Sequence, residues 1–350
     1  MRRYYTRVCN FYYGKESKIL LSKKKTLPLN GLQEISFDHI EIITRKSKKK
    51  IFIKDVKKLS KKLQKQIIFD LDKITLKNKN FSNLNFQKLP NIMGVLNLTP
   101  DSFSDGGRFN KTSKGIKHAL EMTSAGANLI DIGGESTRPG SKTVNPKNEW
   151  NRIYRILGSV CKKIPISLDT RKSEIMEKGI KLGVKIINDV SGLNYDTKTL
   201  SILKKYQIPF VIQHSKGTPE NMQIKPTYKN ELLDIYDFFE NKIKNLRSIG
   251  IKHNKIILDP GIGFGKNLKH NMNLISKISI FHSLGFPILV GNSRKRFIKE
   301  VAKNNDSKNR IGGTVASSIY LMMQGVQILR IHNVNELIQG VKVFKEILNN

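Results

Sequence analysis

The sequence predicts an α/β protein, a (β/α)8 TIM-type barrel with a small basic N-terminal accessory region, and three observations carry that expectation. Eight short apolar blocks follow one another after residue 91. Stretches with helical spacing separate them, and almost every block ends in a polar or charged residue foreign to a buried strand. An open doubly wound sheet usually has about five or six strands, so eight strand-then-helix units favour a closed barrel.

Taken in order, residues 1–90 form the accessory region, of no assigned role, and residues 91–350 the catalytic barrel. The opening Met1–Arg7 stretch is Arg-rich and lacks the apolar core of a secretory signal. An extended segment is expected over 35–43 and a charged turn over 46–50, after which Val56, Leu59, Leu63 and Ile67 recur at the spacing of one amphipathic helix. An Asn/Lys-rich, low-complexity stretch over 76–90 closes the region. The expected barrel strands are 92–97, 129–133, 165–169, 185–189, 209–214, 255–259, 287–291 and 327–332. Helices are expected near 112–125, 147–162, 172–182, 197–206, 229–249, 269–284, 311–324 and 334–348.

The 350 residues carry 63 Lys and Arg against 28 Asp and Glu, a formal charge of +35. Only 14 of the basic residues are Arg; the 49 Lys are scattered among abundant Asn and Ile, as codon composition would produce, so the charge is not read as a nucleic-acid footprint. A basic field still favours capture of anionic small molecules. Cys9 and Cys161 are too few for a disulfide framework or a cysteine zinc site and fit a reducing compartment, with the cytoplasm expected. No apolar run reaches the roughly 18–20 residues of a membrane span.

The polar strand ends are Asn97, Asp131, Asp169, Asn188, His214, Asp259, Arg330 and His332, with Ser293, Arg294 and Lys295 just past the seventh block. In a barrel these converge on the C-terminal rim, where barrel enzymes keep their chemistry. One such residue is easily a helix cap, but eight at corresponding positions point to a shared site. The loops after the first two strands, 97–107 and 131–141, combine hydroxyls, glycines and Arg138, and suit anions. The segment Asp259–Asn267 is no nucleotide P-loop, because its glycines are too closely spaced and Asn267 stands where Ser or Thr should ligate magnesium.

The segments MGVLNLTPDSFSDGG (93–107) and GANLIDIGGESTRPGS (126–141) resemble the two signatures of the dihydropteroate synthase family. The similarity continues in order through SLDT, INDVSG, DPGIGFGK, GNSRK and RIHNV, over about residues 92–348. The resemblance implies a magnesium-assisted transferase of folate biosynthesis, usually a homodimer, that joins 6-hydroxymethyl-7,8-dihydropterin diphosphate to p-aminobenzoate and releases pyrophosphate. It implies pterin contacts from Asp131, Asp169, Asn188, Asp259 and Lys295, and diphosphate contacts from Asn97, Arg330 and His332. Asn97 would share the magnesium, and Thr137, Arg138, Pro139 and Phe264 would shape the p-aminobenzoate pocket. Lys295, Arg330, His332 and Asp131 are the expected catalytic residues.

The chemistry agrees with that resemblance. A carboxylate accepts the side-by-side donors of a pterin while a lysine serves its carbonyl. Diphosphate departure needs cations and positioning, with no side-chain nucleophile. The chain departs from the family at Gln213, where methionine is common, at Ile262 and Asn333, and at Arg296. The competing readings are a pterin-binding paralogue, either a methyltetrahydrofolate-type methyltransferase or an inactive pseudoenzyme, and a nucleic-acid binder using the basic N-terminus. The loop-one and STRPG segments favour the synthase.

Overall fold

The structure is a computed structural model and describes residues 4–80, 84–99, 108–136, 140–217, 221–303, 306 and 308–349. Eight parallel strands form the barrel: β5 (Asn91–Asn97), β6 (Leu129–Gly133), β7 (Ile166–Asp169), β8 (Ile186–Asp189), β9 (Phe210–Gln213), β10 (Ile256–Asp259), β11 (Leu289–Val290) and β12 (Ile328–Ile331). Their hydrogen-bonded order runs β10-β9-β8-β7-β6-β5-β12-β11. A parallel bridge between Leu258 and Ile288 joins the two ends, so the sheet closes. All eight expected strands are present, which settles the fold class.

Helices α3 (Arg108–Ser124), α4 (Pro146–Val160), α5 (Ser173–Leu182), α6 (Thr199–Tyr206), α7 (Glu231–Ser248), α8 (Leu268–Ser276), α9 (Arg296–Ala302), α10 (Ile311–Met323) and α11 (Val334–Asn349) surround it. Local signals set several starts: Asn145 caps α4 by accepting from the Asn148 N–H, with Pro146 in the first turn, and Asn267 and His270 form a capping box on α8. The helix expected over 269–284 breaks after Ser276 into a 3-10 segment over Ile278–Leu284. The short α9 follows Lys295 and had no clear periodic signal.

Before the barrel, β1 (Tyr5–Tyr13), β2 (Leu27–Pro28), β3 (Ile35–Ile43) and β4 (Lys48–Phe52) make an antiparallel sheet, with α1 (Gly14–Ser22) and α2 (Lys61–Thr75) beside it. The extended segment at 35–43 is β3. The single amphipathic helix expected from Val56 onward is instead two pieces, a 3-10 turn over Ile53–Lys58 and α2, which starts after Ser60. Of the basic N-terminal stretch, Tyr5–Arg7 lie in β1, where Tyr5 and Val8 are fully buried.

This sheet packs on the barrel's outer layer. Ser279 Oγ donates to the Val8 carbonyl at 2.8 Å, and Tyr5 OH donates to Asp237 Oδ1 at 2.7 Å. Arg45 forks across Asp234 (2.8 Å) and Asp237 (2.7 Å) on α7. Asn30 donates to His282 Nδ1 (3.2 Å) while His282 Nε2 faces the Gln324 carbonyl (2.8 Å). That pairing suits the neutral ring, whose pKa burial lowers to about 4.

The low-complexity stretch ends inside the barrel. Leu84 and Phe86 are buried in one cluster with Met93, Leu129, Ile186, Val211, Ile257, Leu289 and Ile328, contributed by seven different strands near their N-terminal ends. Asn91 ties this plug down, accepting from the Asn85 N–H (2.8 Å) and donating to the Asn85 and Gln327 carbonyls (3.1 Å each). The floor of the barrel is thus sealed with apolar side chains.

Candidate active site

Strand side chains alternate, so the residues two positions beyond that plug also point into the barrel. Besides Val95 and Gly291 they are the polar Asp131, Asn188, Gln213, Asp259 and Arg330, one step nearer the C-terminal rim, with Asp169 above them on β7. The polar strand ends read from sequence therefore do converge. His214 does not join them: the alternation turns it outward, where its ring meets Phe238 edge-on at 5.0 Å and its Nδ1 accepts from Lys266 (3.1 Å). Burial, reinforced by Lys266, keeps His214 neutral. Its neighbour Gln213 takes the inward position.

Arg330 organises the mouth. Its Nε donates to Asp131 Oδ2 at 2.6 Å and its Nη2 to Asp169 Oδ2 at 2.8 Å, and Asn188 Nδ2 adds a second donor to Asp131 Oδ2 at 3.0 Å. Burial drives the Asp169 carboxyl pKa upward against the pull of Arg330, and the neighbouring Asp131 charge adds to the rise. Four buried polar atoms in this layer have no protein partner: Asp131 Oδ1, Asn188 Oδ1, Gln213 Nε2 and the Oγ of Ser167, which lies across from Asp131 in the β6–β7 register. Such atoms are costly unless something binds them.

Asp259 and Lys295 form the opposite wall. Burial pushes Asp259 up to about 6, opposed by the Gly261 N–H that donates to its Oδ1 at 2.7 Å. Gly261 has φ +68°, and a Cβ there would lie 2.0 Å from the His214 carbonyl, so only glycine permits the turn that delivers this N–H. Lys295 sits 4.0 Å over the Phe264 ring; burial, with the Arg330 charge, lowers its pKa to about 8. Lys266, fully enclosed, falls to about 7 for the same first reason and donates to the Phe264 carbonyl (2.9 Å), holding the glycine-rich turn.

At the rim, the His332 backbone N–H donates to Ser293 Oγ at 3.2 Å and its ring Nδ1 lies 3.0 Å from the same oxygen. Asn97 ends β5 half-buried. Thr137, Arg138 and Pro139 lie outside the described residues, but the ends of their loop are anchored. Glu135 accepts the Val144 N–H (2.8 Å) and pairs with Arg171 (3.0 Å) and Lys172 (3.0 Å), and Lys172 reaches the fully buried Glu149 at 2.5 Å. Although burial opposes it, the Arg171 hydrogen bond leads in holding Glu135 below the usual carboxylate range.

The departures also find places. Asn333 accepts from Arg294 Nε at 2.8 Å and donates to Glu336 at 3.0 Å. Ile262 is core, and Arg296 pairs with Glu300 one turn along α9 at 2.7 Å, out in solvent. Sequence reading missed Lys266, Glu135, Glu149, Arg171 and Lys172 as parts of this region, since each lies in a loop or helix start with no strand alternation to flag it.

Comparison with known proteins agrees with this geometry. The family model described as "Pterin binding enzyme" matches residues 93–332. The dihydropteroate synthase of Escherichia coli K12 is 38% identical over 262 residues, 74% of this chain and 92% of that protein. A Yersinia pestis dihydropteroate synthase solved with a sulfonamide drug complex superposes with a TM-score of 0.71 at 38% identity, covering 76% of this chain and 97% of that one. A Xanthomonas albilineans dihydropteroate synthase solved with 4-aminobenzoic acid gives 0.70 at 33% identity, covering 74% and 93%.

Proposed function

This chain belongs to the pterin-binding enzyme family, and we infer that it is a transferase with dihydropteroate synthase activity. It condenses 6-hydroxymethyl-7,8-dihydropterin diphosphate with p-aminobenzoate, giving 7,8-dihydropteroate and pyrophosphate. The relatives favour this over the methyltransferase or pseudoenzyme alternative. The observation that carries the substrate assignment is the layer of unsatisfied acceptors and donors above a sealed apolar floor, which suits a flat ring whose edge is polar.

In this reading Asp259 accepts the side-by-side amino and ring N–H donors of the pterin, and Lys295 donates to its carbonyl. Asp131, Asp169 and Asn188 hold the remaining edge. Arg330 and His332 face the diphosphate and stabilise charge on the departing oxygens, while the pterin methylene carbon carries developing positive charge. The amine of p-aminobenzoate, seated near Phe264 and the 137–139 loop, then attacks that carbon and gives up a proton as the C–N bond forms. Arg330 is already held by two carboxylates, so little reorganisation accompanies the step.

Among the described residues no trio of His, Cys, Asp or Glu side chains is grouped to hold a metal. One hard oxygen, the Asn97 amide, nevertheless fits magnesium, which commonly takes one or two protein ligands together with substrate phosphates and water. Magnesium would neutralise charge on the leaving diphosphate. We also place the enzyme as a cytoplasmic homodimer; the readings are supported by two buried free thiols and by Tyr320, Val343 and Ile347 standing exposed on α10 and α11.

The test is pyrophosphate release by purified protein given the dihydropterin diphosphate and magnesium, with and without p-aminobenzoate, while dihydropteroate is followed. Coupled appearance of both products is expected. Tight pterin binding with no product would leave a binding protein and defeat the assignment.

A further inference from the structure

Gln213 closes β9 with its side chain turned into the barrel and only 3% of its surface exposed. It lies directly across from Asp259 in the β9–β10 register. A Cβ on Gly261 would come 3.4 Å from its Cγ, and one on Gly192 2.7 Å from its backbone oxygen, so the residue is wedged between the loops that follow β8 and β10. Within that wedge its Nε2 has no hydrogen-bond partner.

The same layer holds two acceptors that also lack partners, Asp131 Oδ1 and Asn188 Oδ1, together with the Ser167 hydroxyl across from Asp131. The donor and the acceptors do not satisfy one another across the mouth. A single ring that shows N–H groups toward β6 and β8 and an acceptor toward β9 would satisfy Asp131, Asn188 and Gln213 at once. An amide buried without such a ligand is a standing cost, recovered only on binding.

We propose that Gln213 is a specificity-determining residue, donating from Nε2 to an acceptor on the ring of the bound dihydropterin. The assignment rests on the pterin reading of the mouth and adds a recognition contact to it. A donor at this position makes affinity depend on the ring's acceptor pattern, whereas an apolar side chain would supply packing alone.

Gln213→Met keeps length and volume while removing the donor, and Gln213→Glu keeps the shape but places a non-donating carboxylate there. Titration calorimetry with 6-hydroxymethyl-7,8-dihydropterin diphosphate should show binding weakened about five- to tenfold in Gln213→Met, and at least as much in Gln213→Glu. KM for the pterin substrate should follow, KM for p-aminobenzoate should stay within twofold, and the Met variant should melt no lower than the unsubstituted protein. Equal or tighter pterin binding by either variant overturns the proposal. Absence of pterin binding by the unsubstituted protein overturns the pterin reading itself, and this contact with it.

Discussion

Arg330 and Asp131 are 199 positions apart in sequence and 2.6 Å apart in space, and the strands that carry them are not neighbours. β5 lies between β12 and β6, so the guanidinium crosses the barrel mouth, and it reaches one strand further to Asp169. The pairing costs the protein if one member is removed, because two carboxylates then stay buried without a cation.

Arg330→Ala is expected to lose about 3 kcal/mol of stability and, through the missing charge at the leaving group, about 10²–10³ in kcat. Affinity for a pterin lacking the diphosphate should fall by less than about tenfold. Arg330→Lys keeps the charge without the two-armed fork and should retain most of the stability but little of the rate. Chemical denaturation and steady-state kinetics check both; an unchanged kcat in Arg330→Ala would remove Arg330 from the chemistry.

Much of this mouth is legible in the sequence, for a definite reason. Parallel strands buried on both faces admit polar residues almost only at their ends, so Asp131, Asp169, Asn188, Asp259 and Arg330 stand out against Val, Ile and Leu. The choice between Gln213 and His214 turns on which of two adjacent residues faces inward, and that depends on a strand boundary uncertain by one residue. The β1 strand is obscured because it is buried on both faces, Tyr5 in the barrel-side cluster and Val8 in the N-terminal one, with Thr, Arg and Asn interspersed. Leu84 and Phe86 are invisible as core because nothing periodic surrounds them; only the closed barrel supplies their neighbours.

The pH dependence of kcat/KM for the pterin substrate should be bell-shaped. Asp259, raised by burial to about 6, must be ionised to accept two donors, and Lys295, lowered by burial to about 8, must be protonated to donate. Activity is therefore expected to fall below about pH 6 and above about pH 8, the two limbs belonging to the coupled mouth. Lys295→Met should abolish the alkaline limb; a profile that still declines above pH 8 in that variant would reject the assignment.

Asp259→Asn should make the ligand-free protein more stable. A carboxyl whose folded pKa lies above its unfolded value of 3.8 destabilises the fold as pH rises from about 4, and fully so above about 6. Removing the charge is expected to recover about 3 kcal/mol at pH 7 and nothing near pH 3, while pterin binding is lost. Thermal melts at the two pH values, set beside calorimetry, decide it.

Lys172 holds Glu135 and Glu149 together, and Glu149 is fully buried. Lys172→Met should cost about 3–5 kcal/mol by stranding Glu149. A second change, Glu149→Gln, should restore part of that, and the loop anchored by Glu135 should report the damage as a raised KM for p-aminobenzoate. If the double variant is no more stable than Lys172→Met alone, the network is not acting as a charge pair.

Tyr5→Phe removes the hydroxyl that donates to Asp237 and leaves the ring edge-on to Tyr236 at 5.1 Å. A loss of about 1 kcal/mol with unchanged kcat is expected. The N-terminal sheet sits against α7 and the Ile278–Leu284 segment and supplies none of the site residues, so its contribution should appear in melting curves and not in turnover.

The stopper formed by Leu84 and Phe86 has a consequence for traffic. A barrel closed below is a cup with one opening, and whatever lies deepest must enter first and leave last. The layer of Asp131, Asn188 and Gln213 is immediately above the stopper, whereas Asn97, His332 and Glu135 are nearer the lip. On the proposed reading of the mouth, the fused ring is expected to load before the arylamine, and a molecule lodged at the lip to trap the one beneath it.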